Sequence, residues 1–234
     1  KLDTFAVVVK SQWPQDYPAD VKEEAERISK SVQAEAAAEN YKGRKDLREK
    51  HFITIDGADA RDFDDAVCIE KTAAGYVLYV AIADVAAFIP EGSRLDEEAF
   101  SRSTSVYFPE WVIPMLPEAL SNGACSLRPN EEKLTLTCEM HFDFKGQKKS
   151  AKVYNSVILS KRRCIYEEVE KEFLAGEEFW KIPYELYQHI RQKRKHRGSI
   201  DLDLPEAKIV LDEHGDAIDI KKTERLHSHR LIEE

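Results

Sequence analysis

Between Thr54 and Ala66 the chain carries five carboxylates within ten residues: Asp56, Asp59, Asp62, Asp64 and Asp65. Arg61 is the only cation among them. Two carboxylates about 5 Å apart repel by roughly 3 kcal/mol at an effective dielectric near 20. A fold that gathers several of them therefore needs solvent or a cation between them. Carboxylate oxygens are hard ligands, so the expected cation is Mg²⁺ or Mn²⁺. A metal held by aspartates, with room left for a substrate oxygen, points to phosphate chemistry. Asp62 and Asp64 share one side of an extended backbone, while Asp65 faces away unless a bend re-aims it. Asp56 closes the preceding strand and can return to the same place. Four candidate ligands result, for one ion or two.

Other readings of the loop compete. An acidic surface turn with no ligand is the plainest. A calcium loop of the EF-hand type needs Gly at its sixth position and Glu at its twelfth. Counted from Asp62, these are Val67 and Ala73. Asp62-Phe63-Asp64 is also the Asp-x-Asp pattern of metal-dependent sugar-nucleotide transferases, a match of only three residues. Gly57 is expected to permit tight backbone geometry at the loop entry. Arg61 is the expected structural tether of the loop.

The loop sits in strand-forming sequence. His51 to Ile55 precedes it, Ala66 to Ile69 follows, and Tyr76 to Ile82 comes after a turn at Thr72 to Gly75. Upstream, Phe5 to Val9 reads as a short strand. Asp20 caps a helix to about Asn40, with Val21, Ala25, Ile28 and Val32 at helical spacing. Tyr41 to Lys50 is highly charged and reads as a linker or surface loop. Downstream, a helix is expected at Leu95 to Arg102, with proline-shaped segments to Pro117. Paired strands are expected at Leu134 to Phe144 and Lys152 to Ser160. Helices at Tyr166 to Ala175 and Pro183 to His196 follow, then strands at Ile200 to Leu204 and Lys208 to Leu211. A last helix begins near Arg225. The mixture predicts an α+β fold.

A formal net charge of -9 argues against indiscriminate nucleic-acid binding. Local cationic stretches qualify this, at Lys145 to Lys149, Lys161 to Arg163 and, most densely, Arg191 to Arg197. Apolar runs such as Tyr76 to Ala83 are too short to span a bilayer. Cys68, Cys125, Cys138 and Cys164 form no CxxC pair, and no signal peptide begins at Lys1, so four reduced thiols in a cytoplasmic protein are expected. The first residue is not Met and the last ones read as mid-helix, so we expect a piece of a longer protein.

Thr54 to Ala66 resembles the signature of the ribonuclease II and ribonuclease R family of RNB-domain 3′→5′ exoribonucleases. The likeness continues, in order, through Tyr79 to Val85, Ser103 to Pro109, Ile113 to Pro117, Leu120 to Asn122, Cys125 to Leu127 and Ser228 to Glu234. It covers residues 51–234 and is nearer to the ribonuclease R pattern. Residues 1–50 then read as a segment leading from preceding cold-shock modules, and 51–234 as the N-terminal portion of an RNB catalytic domain with a mixed sheet and packed helices.

The resemblance implies a magnesium (or manganese) site at Asp56, Asp62, Asp64 and Asp65. Asp62 and Asp64 would be catalytic, with Asp64 the most sensitive, and Asp59 would stay outside the site. It implies that Tyr107 stacks on a base near the RNA 3′ end and that Tyr166 lies near the terminal nucleotide. Stacking of this kind contributes about 1–3 kcal/mol per base and tolerates any sequence. Leu202 stands where the family often has a Phe, and Leu offers no π face. Glu233 or Glu234 would be a further acidic residue near the site. The implied activity is processive hydrolysis of single-stranded RNA to nucleoside 5′-monophosphates by a monomeric parent. This piece alone is expected to be weakly active or inactive, because flanking OB-fold modules and an arginine lie beyond it. His227 and His229 are expected to be structural, on different sides of a helix. A non-catalytic RNA-binding relative is the main alternative.

Overall fold

Strand-rich sequence on both sides of the acidic loop folds into one mixed sheet, and the helices that follow cover it. The computed structural model describes residues 2–109, 111–201 and 206–234. In chain order come α1 (Leu2–Lys10), α2 (Ala19–Ala38), β1 (Lys45–Asp46), β2 (Phe52–Asp56), β3 (Asp65–Thr72) and β4 (Gly75–Ala83). Then come α3 (Arg94–Arg102), β5 (Val106–Tyr107), β6 (Val112–Ile113), a π-helical turn (Ala119–Ala124), β7 (Glu132–Phe142) and β8 (Lys148–Ile165). The chain ends in α4 (Tyr166–Leu174), α5 (Glu178–His196), β9 (Glu206–Leu211), β10 (Ala217–Thr223) and α6 (His227–Glu233). The fold is α+β. No helix among the described residues is long and apolar enough to cross a membrane.

Two compact units result. One comprises residues 35–84, 125–203 and 225–234. Its six strands are ordered β1-β8-β2-β3-β4-β7, and a further β7–β8 pairing closes the series on itself through the long β8. β8 runs parallel to β1 and β2, and the other pairs are antiparallel. The β3–β4 hairpin depends on Gly75, whose φ is +140° and where a Cβ would lie 2.0 Å from the Phe142 carbonyl oxygen. β4 meets β7 at Tyr76↔Phe142, so only a residue without a side chain fits this corner.

One face of β2 and β8 supplies Ile53, Ile55 and Cys164, which pack with Val169 of α4 and Trp180 of α5. Full burial of such side chains is worth about 1.5–3 kcal/mol each. The Trp180 Nε1–H donates to Glu172 at 2.8 Å, and Glu172 also pairs with Arg162. Three buried hydroxyls on β7 and β8 satisfy one another. Ser156 Oγ lies 2.8 Å from Thr135 Oγ1 and 2.6 Å from Thr137 Oγ1.

The other unit comprises residues 1–34, 85–124 and 204–224. Arg102 organises part of it. Its guanidinium pairs with Glu98 at 2.8 Å, lies 3.6 Å from the Tyr17 ring centroid and donates to the Asp16 carbonyl at 2.6 Å. Ser93 caps α3 by accepting from the Asp96 N–H.

Several sequence expectations change. Residues 5–9 are helical rather than extended: Val8 alone is buried while Phe5, Val7 and Val9 are exposed, so packing overrides β-branched preference. The charged stretch 41–50 holds β1, with Tyr41 and Leu47 buried, because Arg44 spends its charge on Asp84 at 2.7 Å. α5 starts at Glu178 and carries Pro183 inside, since burying Trp180 requires the earlier turn. Ile200 and Asp201 are not in a strand, and residues 202–205 lie outside the described ones. β10, whose Ile218 and Ile220 alternate with polar residues, is a strand beyond those expected.

Candidate active site

Asp56 ends β2 and Asp65 begins β3, so the acidic loop spans residues 57–64 between two neighbouring strands. Phe63, next to its last residue, is buried. Burying Phe63 leaves Asp62 and Asp64, its neighbours on either side, directed away from it. Four residues anchor this shape. Ser126 Oγ donates to the Arg61 carbonyl at 2.8 Å and accepts from the Phe63 N–H at 3.0 Å. The Leu127 N–H donates to the Phe63 carbonyl at 2.8 Å, and the Ala83 N–H to the Asp64 carbonyl at 2.9 Å. Arg163 Nη2 donates to the carbonyls of Ala58 at 2.6 Å and Gly57 at 3.3 Å. Ser126→Ala is expected to cost about 1–3 kcal/mol, because it strips a partner from a buried N–H. A thermal melt with no loss would contradict that bridging role.

Burial first, then the charges of Asp65, Asp62 and Asp64, push the Asp56 carboxyl up to about 6, with Arg163 opposing. All four aspartates thus share one electrostatic site. Burial, then Asp62 and Asp65, raise Asp64, although much of its surface is open to solvent. Burial raises Asp65. For Asp56 the folded chain keeps its proton after the unfolded chain has lost it. Stability of the cation-free protein should therefore fall as pH rises from about 4 to about 6, the cost being absent below both values. Asp56→Asn should flatten that decline in melts run with a chelator; an unchanged slope would assign it elsewhere.

The fit to a divalent cation rests on the donor chemistry and on one orphaned atom. Asp56 Oδ2 is buried and has no hydrogen-bond partner. Among the described residues no three Asp, Glu, His or Cys side chains stand close enough to hold a metal as they are.

The parallel pairing of β2 with β8 sets Asp56 opposite Ile165 and so brings Tyr166, the first residue of α4, to the site. Burial, then Asp56, Asp65 and Glu233, push the Tyr166 hydroxyl up to about 12. The His229 ring stacks on Tyr166 with centroids 4.1 Å apart and planes at 18°. Glu233 pairs with Arg225 and acts on Tyr166, whereas Glu234 pairs with Arg194 at 2.9 Å. The two acids, inseparable by sequence, thus have different partners. Tyr107, exposed on β5, belongs to the other compact unit. Leu202 lies outside the described residues.

Some roles fall to unexpected residues. Arg61 is exposed and enters the loop's anchoring through its carbonyl, so Arg163, hidden in a basic triplet, takes the part expected of it. Gly57 has no positive φ, and a Cβ placed on it would meet nothing within 4 Å, so its backbone does not demand glycine. Ser126 serves as a latch; its place next to Leu127 in a conspicuous short motif was the only signal. His227 pairs with Glu170 at 2.8 Å, so the two histidines do take different partners. Two cations of the dense basic stretch are paired, Arg191 with Asp201 and Arg194 with Glu234, beside a cavity of about 730 Å³.

Residues 44–234 match the RNB domain family. The chain belongs to that family. Ribonuclease R of Thermotoga maritima is 44% identical over 245 residues, covering 100% of this chain and 34% of that protein. Ribonuclease R of Aquifex aeolicus is 44% identical over 238 residues, covering 97% of this chain and 33% of that protein. The chain thus spans about a third of the length of these curated relatives. Among solved structures, Mycoplasma genitalium RNase R in complex with ribose methylated single-stranded RNA matches with a TM-score of 0.92 and 33% identity. That match covers 99% of this chain and 37% of the other. The RNB-domain sheet is therefore what carries the acidic loop.

Proposed function

We propose that the full-length protein is a 3′→5′ exoribonuclease that hydrolyses single-stranded RNA processively to nucleoside 5′-monophosphates, and that this chain carries its metal-binding half-site. The observation that carries the reading is the gathering of four aspartates at the adjoining ends of β2 and β3, with a buried, unpartnered oxygen on Asp56. The RNB match and the relative solved with ribose methylated single-stranded RNA support the substrate class.

Asp56, Asp62, Asp64 and Asp65 would hold Mg²⁺ or Mn²⁺. Such a cation supplies charge stabilisation for phosphodiester hydrolysis when bound. Asp62 and Asp64, on either side of Phe63, would be the catalytic pair, and Asp64 is the more open to solvent. Tyr166, held by His229, would border the terminal nucleotide, and Tyr107 would offer a stacking surface. Glu233 is the better candidate for the further acid because it lies within electrostatic reach of Tyr166. Cys68, Cys125 and Cys164 are buried free thiols, in keeping with a reducing compartment such as the cytoplasm.

The test is decay of a uniformly labelled single-stranded RNA by the full-length protein. Mononucleotides should form with Mg²⁺ and not with a chelator. Endonucleolytic fragments, or equal decay in chelator, would defeat the proposal. RNA binding without cleavage is the second reading, favoured by the lack of a ready-made three-residue metal set among the described residues. Tight Mg²⁺-independent binding with no decay would establish it.

A further inference from the structure

The loop that bears the aspartates is tethered by a charge on another strand. Along β8, Arg162 and Cys164 turn to the helices: Arg162 pairs with Glu172 of α4, and Cys164 lies in the core with Ile53 and Ile55. Arg163 and Ile165 therefore turn to the opposite face. In register, Arg163 stands opposite Thr54 and Ile165 opposite Asp56. From there Arg163 Nη2 reaches over the end of β2 to the successive carbonyls of Gly57 and Ala58. Its guanidinium carbon lies 5.2 Å from the centroid of the buried Phe63 ring. Its buried Nε has no partner in the protein, and neither does Thr54 Oγ1 or Asp56 Oδ2.

We propose that Arg163 is a positioning residue for the divalent cation, holding the entry of the acidic loop closed so that Asp56 and the aspartates beyond it stay gathered. The inference rests on the reading of those aspartates as a cation site. Two effects of Arg163 oppose one another. Its positive charge competes with a cation for Asp56. Its hydrogen bonds keep four repelling carboxylates from spreading, so that less order has to be imposed when a cation binds. The second effect dominates here because the bond to Ala58 is short and charge-assisted, and because the guanidinium lies against Phe63 while its Nη2 reaches two successive carbonyls. A lysine in its place would keep the charge and lose the planar contact with Phe63.

The experiment uses full-length protein carrying Arg163→Gln, Arg163→Lys or, as a control on the helix face of the same strand, Arg162→Gln. Mn²⁺ affinity is read by electron paramagnetic resonance without RNA. The kcat and KM on a single-stranded oligoribonucleotide are read separately, and melting temperatures are recorded. Arg163→Gln should weaken Mn²⁺ binding about tenfold and lower kcat at limiting metal, with KM for RNA unchanged. Arg163→Lys should fall between it and the wild type. Arg162→Gln should lower the melting temperature and leave Mn²⁺ affinity alone, which separates positioning from mere stability. Mn²⁺ bound by Arg163→Gln as tightly as by the wild type, or more tightly, overturns the proposal. If that variant does not fold, Arg163→Lys decides: weakened Mn²⁺ binding supports the role and unchanged binding refutes it. A wild type that binds Mn²⁺ yet degrades no RNA defeats the functional reading while leaving the positioning role open to the same comparison. A wild type that binds no Mn²⁺ defeats both.

Discussion

Asp64→Asn in the full-length protein is expected to lower the rate of RNA hydrolysis about a thousandfold. That corresponds to roughly 4 kcal/mol of lost transition-state stabilisation, in the range expected for a metal-site carboxylate. The substitution is close to isosteric, and the loop's anchors do not involve this side chain. The Asp64 carbonyl keeps its bond from Ala83, and Phe63 keeps its bonds from Ser126 and Leu127. The fold should therefore survive. Removing one charge from a cluster that raises Asp64 and Asp56 should hold or slightly raise the melting temperature of the cation-free protein. Asp59→Asn, in an exposed turn of the same loop, serves as the contrast and should keep full activity. Single-turnover decay of a labelled RNA reads both variants. Undiminished hydrolysis by Asp64→Asn would remove this residue from the site, whatever the fate of the other three.

Trp180→Ala should be the most damaging change to the fold, costing about 3–5 kcal/mol. Trp180 is 2% exposed and packs against Ile53 and Ile55, the residues of β2 that lead directly to Asp56. Its Nε1–H also donates to Glu172, the partner of Arg162, so truncation opens a cavity and loosens an ion pair together. Trp180→Phe keeps most of the ring volume and loses the hydrogen bond, for roughly 1 kcal/mol. Amide exchange in β2 and α4 would show the difference. Near-native protection in Trp180→Ala would mean that this packing does not support the site. Loss of activity in Trp180→Ala that Trp180→Phe restores would tie the floor of the sheet to the aspartates above it.

The parts legible in the chain itself are short-range. β2, β3 and β4 follow from β-branched alternation and the turn ending at Gly75. α2 and α3 follow from apolar spacing of 3–4 residues. The misreadings also come from short windows. Residues 5–9 look extended because three of them are valine, yet only Val8 is buried. Tyr41 to Lys50 looks like a linker because it is charged, yet Arg44 and Arg48 form ion pairs within one compact unit.

By itself, the sequence determined that residues 54–66 would be a strand, an acidic bend and a strand, because charge spacing and side-chain alternation act over a few residues. It also limited the cation chemistry to hard oxygen ligands. Tertiary structure alone decided what meets the bend. The β2–β8 register placed Tyr166 beside Asp56 and set Arg163 over the loop entry, and Ser126 reached the loop across 63 residues of chain. It also gave Glu233 and Glu234 different partners. Such pairings depend on which strands lie side by side, and strand register is set by burial across the whole sheet rather than by any local pattern.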